Sequence, residues 1–468
     1  MSAFATCRCY HFLGLPDVDV FGIFGLHGRA QGRMSEASPN PSTWYRYMDS
    51  ANTFSTSQSL TSNPEFIVVG AGLAGLAAAS TLNQAGKEAL VLEAGDAVGG
   101  RVRTDWDSGF TLDRGFQVLL TAYPELGRHI NLSSLKLRPF VRGVAVWEGD
   151  RFIELIDPRI SPLRLGAALR TSTLARGDRL RLVRLAVRLR MSSAGFVDRA
   201  DDCSTGEFLR GWGFSERAMK SLWEPLFSGI QLTPALEGSA RLACLILRCL
   251  ILGPAAIPAQ GMQAIPDQLA STLPAGSIRL ESEVEAINGA HLLLRNGAKL
   301  SARKLIMATQ GTVAAKLVGA EIGTTRAQWY AYFSTAEAPS QSSAIHLFPA
   351  GDGPCRNLAI LSNVAPEYGS GSEALIVVAG PVASDEPPLM EARTQLRRNL
   401  GNQTQSWRLL KAGIVQEAQP GFAPNTPLVK TQDCHPEIVV AGDHRTTPSI
   451  QGALLSGRLA AQRAMANS

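Results

Sequence analysis

Apolar positions first fall into a regular pattern at Phe66–Val69, a four-residue run of the length and composition of a buried strand. From Leu73 to about Gln84 alanine and leucine dominate, which predicts a helix; Gly86 marks a turn, and Ala89–Leu92 is a second apolar run, closed by Glu93. Further on, Ser277–Ala308 alternates in short pieces (IRLESEVEAI, LLLRNGAKL, KLIMAT), which predicts a strand meander. Between Arg159 and Met191 arginines interleave with leucine and valine, and Asp178 is the only acid. The most apolar stretch is Leu242–Ile257, but Arg248 interrupts it and Gly253-Pro254 ends it. It is too short to span a bilayer and reads as a buried or membrane-contacting segment. Residues 1–63 lack any such order, and their Ser/Thr-dense run from Ser35 to Ser62 cannot build a core, so a disordered leader is expected there.

The first strand and helix are joined by Gly70-x-Gly72-x-x-Gly75. In a dinucleotide-binding turn Gly70 permits the tight strand-to-helix reversal, and Gly72 lets backbone approach a pyrophosphate. Gly75 lets the helix pack against the strand, and Glu93 accepts hydrogen bonds from a ribose diol. The helix N-terminus adds unpaired N–H groups and partial positive charge. Gly70, Ala71, Gly72, Leu73, Ala74, Gly75, Glu93 and Ala94 are therefore predicted to line the cofactor. A glycine-rich turn alone would not also carry the flanking strands, the helix and the acid at this spacing.

Two later motifs choose the dinucleotide: Gly99-Gly100-Arg101-Val102-Arg103-Thr104, and Val439-Val440-Ala441-Gly442-Asp443 followed by Gln451-Gly452-Ala453. With these the chain resembles the FAD-dependent amine oxidase and phytoene desaturase superfamily, which includes protoporphyrinogen oxidases and carotenoid desaturases, from about Glu65 to the C-terminus. The resemblance implies FAD, with Gly100 and Arg101 along its flavin side and Gly442 and Asp443 at the ribityl and pyrophosphate. Gln451, Gly452 and Ala453 would open a helix aimed at the flavin pyrimidine, and Gly115, Phe116 and Val284 would complete the contacts. A helix N-terminus there favours the charge of a reduced flavin. Asp443, repulsive toward a diphosphate, is expected to accept from ribityl hydroxyls or to hold its loop; a turn or capping role is the alternative. His444 and Arg445 could face the flavin or the outer surface.

The implied fold is α/β, a Rossmann-like FAD-binding domain of the glutathione-reductase type with an inserted α+β substrate domain. Residues 64–139, 258–320 and 424–468 would form the discontinuous FAD domain, and 140–257 with 321–423 the substrate domain. At 468 residues more than one core is expected.

Departures from the family pattern bear on the substrate. Amine oxidases usually place a cage tyrosine three residues before the final Gly-Ala, where Ser449 stands, and usually carry a lysine near the flavin, whereas Gly323–Phe348 has none. Leu112-Asp113-Arg114-Gly115-Phe116-Gln117-Val118 and Gly261-Met262-Gln263-Ala264-Ile265-Pro266 look more like the desaturase and protoporphyrinogen-oxidase side. Hydride removal from a large apolar or conjugated small molecule is thus expected, with oxygen or a quinone as acceptor. The alternatives are a flavin amine oxidase, a protein holding FAD without turnover, and an escort-type binding protein. Phe116, Trp223, Phe227, Trp329, Tyr330, Tyr332 and Phe333 are expected either to line the pocket or to pack the core.

Composition refines this only slightly. Hydrophobic residues make up 45% and charged ones 18%, which suits a globular chain, and a net charge of +5 is concentrated in the arginine-leucine segment. That segment lacks interleaved aromatics, which argues against nucleic acid. It reads either as a helix on an anionic membrane surface or as a solvated helix over the core. The chain's seven cysteines are scattered without zinc-site spacing. The leader composition points to a plastid transit peptide, although Asp17, Asp19, Glu36 and Asp49 are unusual in one; a cytoplasmic or peripheral membrane location is the alternative.

Overall fold

The computed structural model describes residues 64–157, 174–192, 202–233, 236–349, 351–382, 385–430 and 435–466. The expected leader and Arg159, Arg164 and Arg170 of the basic segment lie outside these residues. Residues Pro64–Ser468 form one compact unit.

Phe66–Val69 (β1) leads into helix Leu73–Gln84 (α1) and then Ala89–Leu92 (β2). Ile278–Arg279 (β3), Lys304–Met307 (β4) and Ile438–Val440 (β5) complete a five-stranded sheet of order β3-β2-β1-β4-β5, parallel throughout. Its strands thus come from three stretches far apart in sequence. Both faces are covered, which is why these strands read as unbroken apolar runs rather than alternating ones. Phe66, Val68 and Ile306 pack with α1 in the largest core. Ile67, Val69, Leu305 and Met307 point the other way, onto Leu292, Leu294 and Val284 of an antiparallel meander, Val284–Asn288, His291–Leu294 and Lys299–Ser301.

A second, seven-stranded sheet runs in the order Arg408–Pro420, Thr325–Thr335, Ala374–Pro381, Asn357–Ile360, Ile345–Leu347, Gly143–Trp147, Phe152–Ile156. Along Thr325–Thr335 successive side chains alternate faces. Trp329 and Phe333 go into a core with Phe348 and Trp407, while Tyr330 and Tyr332 go into the core shared with the first sheet. Trp223 and Phe227 are buried in a third cluster among helices. Of the aromatics expected from sequence to line a pocket or pack the core, Trp223, Phe227, Trp329, Tyr330, Tyr332 and Phe333 are core, and Phe116 is partly buried against the cluster that holds the two tyrosines.

Helix Arg176–Met191 (α2) packs beside helix Ala240–Leu252 (α3). The apolar face of α3 is core: Leu242, Ile246 and Cys249 enter one cluster and Ala243 and Cys244 another. That corrects the membrane-contacting option for Leu242–Ile257. Among the described residues no helix is long and apolar enough to cross a membrane. The last helix, Ile450–Ala466 (α4), lies along α1; at Gly457 an added Cβ would sit 2.0 Å from the Ala74 carbonyl oxygen, so only glycine allows this crossing.

Candidate FAD site

The glycine turn after β1 has the form its spacing predicts. Gly70 adopts φ +103°, which a side chain would strain. A Cβ on Gly75 would stand 1.9 Å from the Gly70 carbonyl oxygen, so α1 touches the turn directly. Gly72 behaves in the opposite way: an added Cβ meets nothing within 4 Å, and Gly100 faces it across the opening, its own added Cβ 3.4 Å from Gly72 Cα. Gly72 is also the N-cap of α1 and no side chain caps that end, so the first N–H groups of the helix are open to an anion. Ala71, Leu73 and Ala74 turn their side chains into the core and offer only backbone to this space.

The Glu93 carboxylate accepts from the Ala71 N–H at 2.7 Å and the Gly95 N–H at 2.9 Å. These bonds fix its direction and leave lone pairs for a diol. Ala94, next to it, is exposed. Val284 is buried at the start of the meander, against the face of the sheet opposite α1.

The two distant motifs meet. Arg101 Nη2 donates to Asp443 Oδ1 at 2.6 Å and Nη1 donates to the Ala418 carbonyl at 2.9 Å. Burial opposes the Arg101 charge, but the Asp443 carboxylate outweighs it and holds the guanidinium above its ordinary value. Asp443 therefore has a cation as its first partner and locks the Gly-Gly-Arg turn to the β5 end, a pairing that sequence reasoning did not foresee. The Gly442 N–H donates to Ser456 on α4, tying the same loop to that helix. His444 is buried, burial lowers its pKa to about 4, and its Nε2 has no hydrogen-bond partner. A small cleft opens here, with Arg101, Gln310, Thr324, Glu417, Asp443 and His444 in its walls.

Gly115 and Phe116 are held by Gln328: its Oε1 accepts the Phe116 N–H at 3.0 Å, while Tyr332 Oη donates to the Gly115 carbonyl at 3.2 Å. Gln328, Tyr330 and Tyr332 share one face of their strand, and a polar residue ahead of two tyrosines at period two was the signal available in the sequence. Asp113, just upstream, is buried and accepts from Thr104, Tyr368 and the Met262 N–H. Burial raises its pKa to about 6 against those hydrogen bonds.

At the start of α4, Gln451 Oε1 accepts the Glu125 N–H at 2.8 Å, and Thr446 Oγ1 donates to the Gly452 carbonyl at 2.7 Å. Ser449 Oγ accepts the Gly452 N–H at 3.1 Å, with Ala453 N–H bonded to the Ser449 carbonyl. Ser449 is thus the N-cap of α4, a job tyrosine cannot do.

These residues fit FAD: an uncapped helix end at Gly72 with Gly100 across from it, an oriented acid beside it, and a buried polar atom without a partner at His444. The family model for flavin containing amine oxidoreductases matches residues 73–332. Polyamine oxidase 2 of Arabidopsis thaliana is 45% identical over 71 residues, 15% of this chain and 14% of that protein. An L-amino-acid oxidase of Crotalus adamanteus is 43% identical over 81 residues, 17% of this chain and 16% of that protein. Each match therefore spans well under a fifth of the relative's length. Solved structures agree over far more of the chain. A putative protoporphyrinogen oxidase from Exiguobacterium sp. 255-15 superposes with a TM-score of 0.65 at 17% identity, covering 86% of this chain and 98% of that one. Putrescine oxidase bound to putrescine gives 0.60 at 17% identity, with coverage of 86% and 99%. At such identity the likeness fixes the fold alone.

Proposed function

The chain belongs to the flavin containing amine oxidoreductase family, and we propose that within it the protein oxidises a carbon that carries a nitrogen. FAD, when bound, supplies the hydride acceptor. Gly72 and the N-terminus of α1 would hold its diphosphate, Glu93 a ribose, and Arg101 with Asp443 the loop beside its middle. The N-terminus of α4, capped by Ser449, would lend positive potential to the flavin. Gln328 and Tyr332 would hold the Gly115–Phe116 backbone as one wall of the reaction space.

The observation that carries the amine reading is the local identity of 45% with a polyamine oxidase and 43% with an L-amino-acid oxidase. A second reading, hydride removal from a large apolar or conjugated molecule, is favoured by Ser449, which caps α4 where an amine cage would need an aromatic ring. It is favoured too by the lysine-free stretch Gly323–Phe348.

Anaerobic mixing of the flavoprotein with polyamines, benzylamine and L-amino acids, and separately with an apolar lipid extract, distinguishes them. Bleaching of the flavin by an amine supports the first reading and overturns the second. Bleaching by the extract alone supports the second and overturns the first, and bleaching by neither rejects both.

A further inference from the structure

Helix α2 has two apolar faces. Leu185 and Leu189 point inward and are buried with Leu182 packed beside them, and Asp178 turns to the same side. Leu180, Val183, Val187 and Met191 recur at i, i+3, i+7 and i+11, a single stripe at about 100° per residue, and they are 62%, 57%, 49% and 80% exposed. The stripe lies opposite the buried face. Exposed Arg190 flanks it on one side and exposed Arg184 on the other, with exposed Arg176 at its N-terminal end.

Among the described residues no acid answers these three charges on the outer face. Asp178 is fully buried, its carboxylate accepting from the Ser215 N–H at 2.9 Å and the Ser215 hydroxyl at 2.6 Å. Its ion-pair partner on α2 is Arg181, at 3.7 Å. A helix that merely covered the core would carry polar residues along its outer stripe. Here the outward face is apolar at the centre and cationic at both margins, the cross-section of a helix lying in the headgroup plane, with apolar side chains among acyl chains and guanidinium groups level with phosphates.

We propose that α2 docks this face of the protein onto an anionic lipid surface, lying parallel to it and inserting Leu180, Val183, Val187 and Met191. The inference does not depend on which substrate is oxidised.

The test is co-sedimentation of the full-length flavoprotein with phosphatidylcholine vesicles with and without phosphatidylserine. Wild type should pellet with the anionic vesicles at low salt and be released by high salt, and should ignore the neutral ones. Val183→Asp with Val187→Asp, or Arg184→Glu with Arg190→Glu, should each weaken binding on the order of tenfold or more. All four positions face outward, so flavin content and melting temperature should be unchanged, and any shift in either is read before binding is judged. Amides of residues 180–191 should gain protection from hydrogen exchange only with anionic vesicles. Wild type that ignores anionic vesicles at low salt overturns the proposal, as does binding that both double variants leave intact. A dimer in sedimentation velocity that Val187→Asp dissociates, with no vesicle binding, would assign the stripe to a second copy and overturn it as well.

Discussion

At the scale of residues, neighbouring glycines of one motif do opposite things, and substitution separates them. Gly72 has open space beyond it, so Gly72→Val should leave the melting temperature of the apoprotein close to wild type while abolishing flavin uptake, read as loss of the visible flavin spectrum. Gly75 has a carbonyl oxygen 1.9 Å from where its Cβ would be, so Gly75→Val should destabilise the apoprotein itself by about 2–3 kcal/mol or more in a denaturant titration. Equal stability of the two variants would contradict the geometry. Arg101 offers a second residue-level test. Arg101→Met would strand a buried Asp443 without its cation and should cost about 3 kcal/mol in the same titration.

At the scale of elements, strand Ile345–Leu347 carries His346 into a nest of rings, its imidazole 4.6 Å from the Phe152 centroid. Burial lowers its pKa from 6.5 to about 4. The folded state therefore resists a proton that the unfolded chain accepts. The contribution is present in full above pH 6.5 and is lost as pH falls toward 4, on the order of 3 kcal/mol in all. Melting curves across that window should fall steeply for wild type and less steeply for His346→Leu. Elements were also where the sequence was most and least legible. The βαβ unit and the meander could be read because both faces of the parallel strands, or one face of the antiparallel ones, are buried, and burial writes itself into apolar spacing. The Arg101–Asp443 pair could not, because it joins residues 342 positions apart through two loops, and loops carry no periodicity. Ser449 occupies a family position for an aromatic ring, and a serine just before a helix is also a local capping signal, the one the structure follows.

At the scale of the whole molecule, the cradle is assembled from β1 and α1 near one end of the compact unit's sequence and from β5 and α4 at the other. A ligand bound across such a site stabilises every piece at once through mass action. FAD added to the stripped protein should raise its melting temperature in a concentration-dependent way, and Gly457→Val, which would force α4 off α1, should lower both stability and FAD retention. A melting temperature indifferent to FAD would mean that the cofactor does not bridge these pieces. The position of β5 has one further consequence, for biosynthesis. Ribosomes deliver a chain in order, and β5 is the last strand of the parallel sheet to be made. Until it leaves the exit tunnel β4 stays an unpaired, wholly buried-type edge, the kind of surface on which nascent chains stick to one another. Holdase chaperones should therefore stay bound to the nascent chain until β5 has emerged, and the flavin should be captured only once that strand has paired.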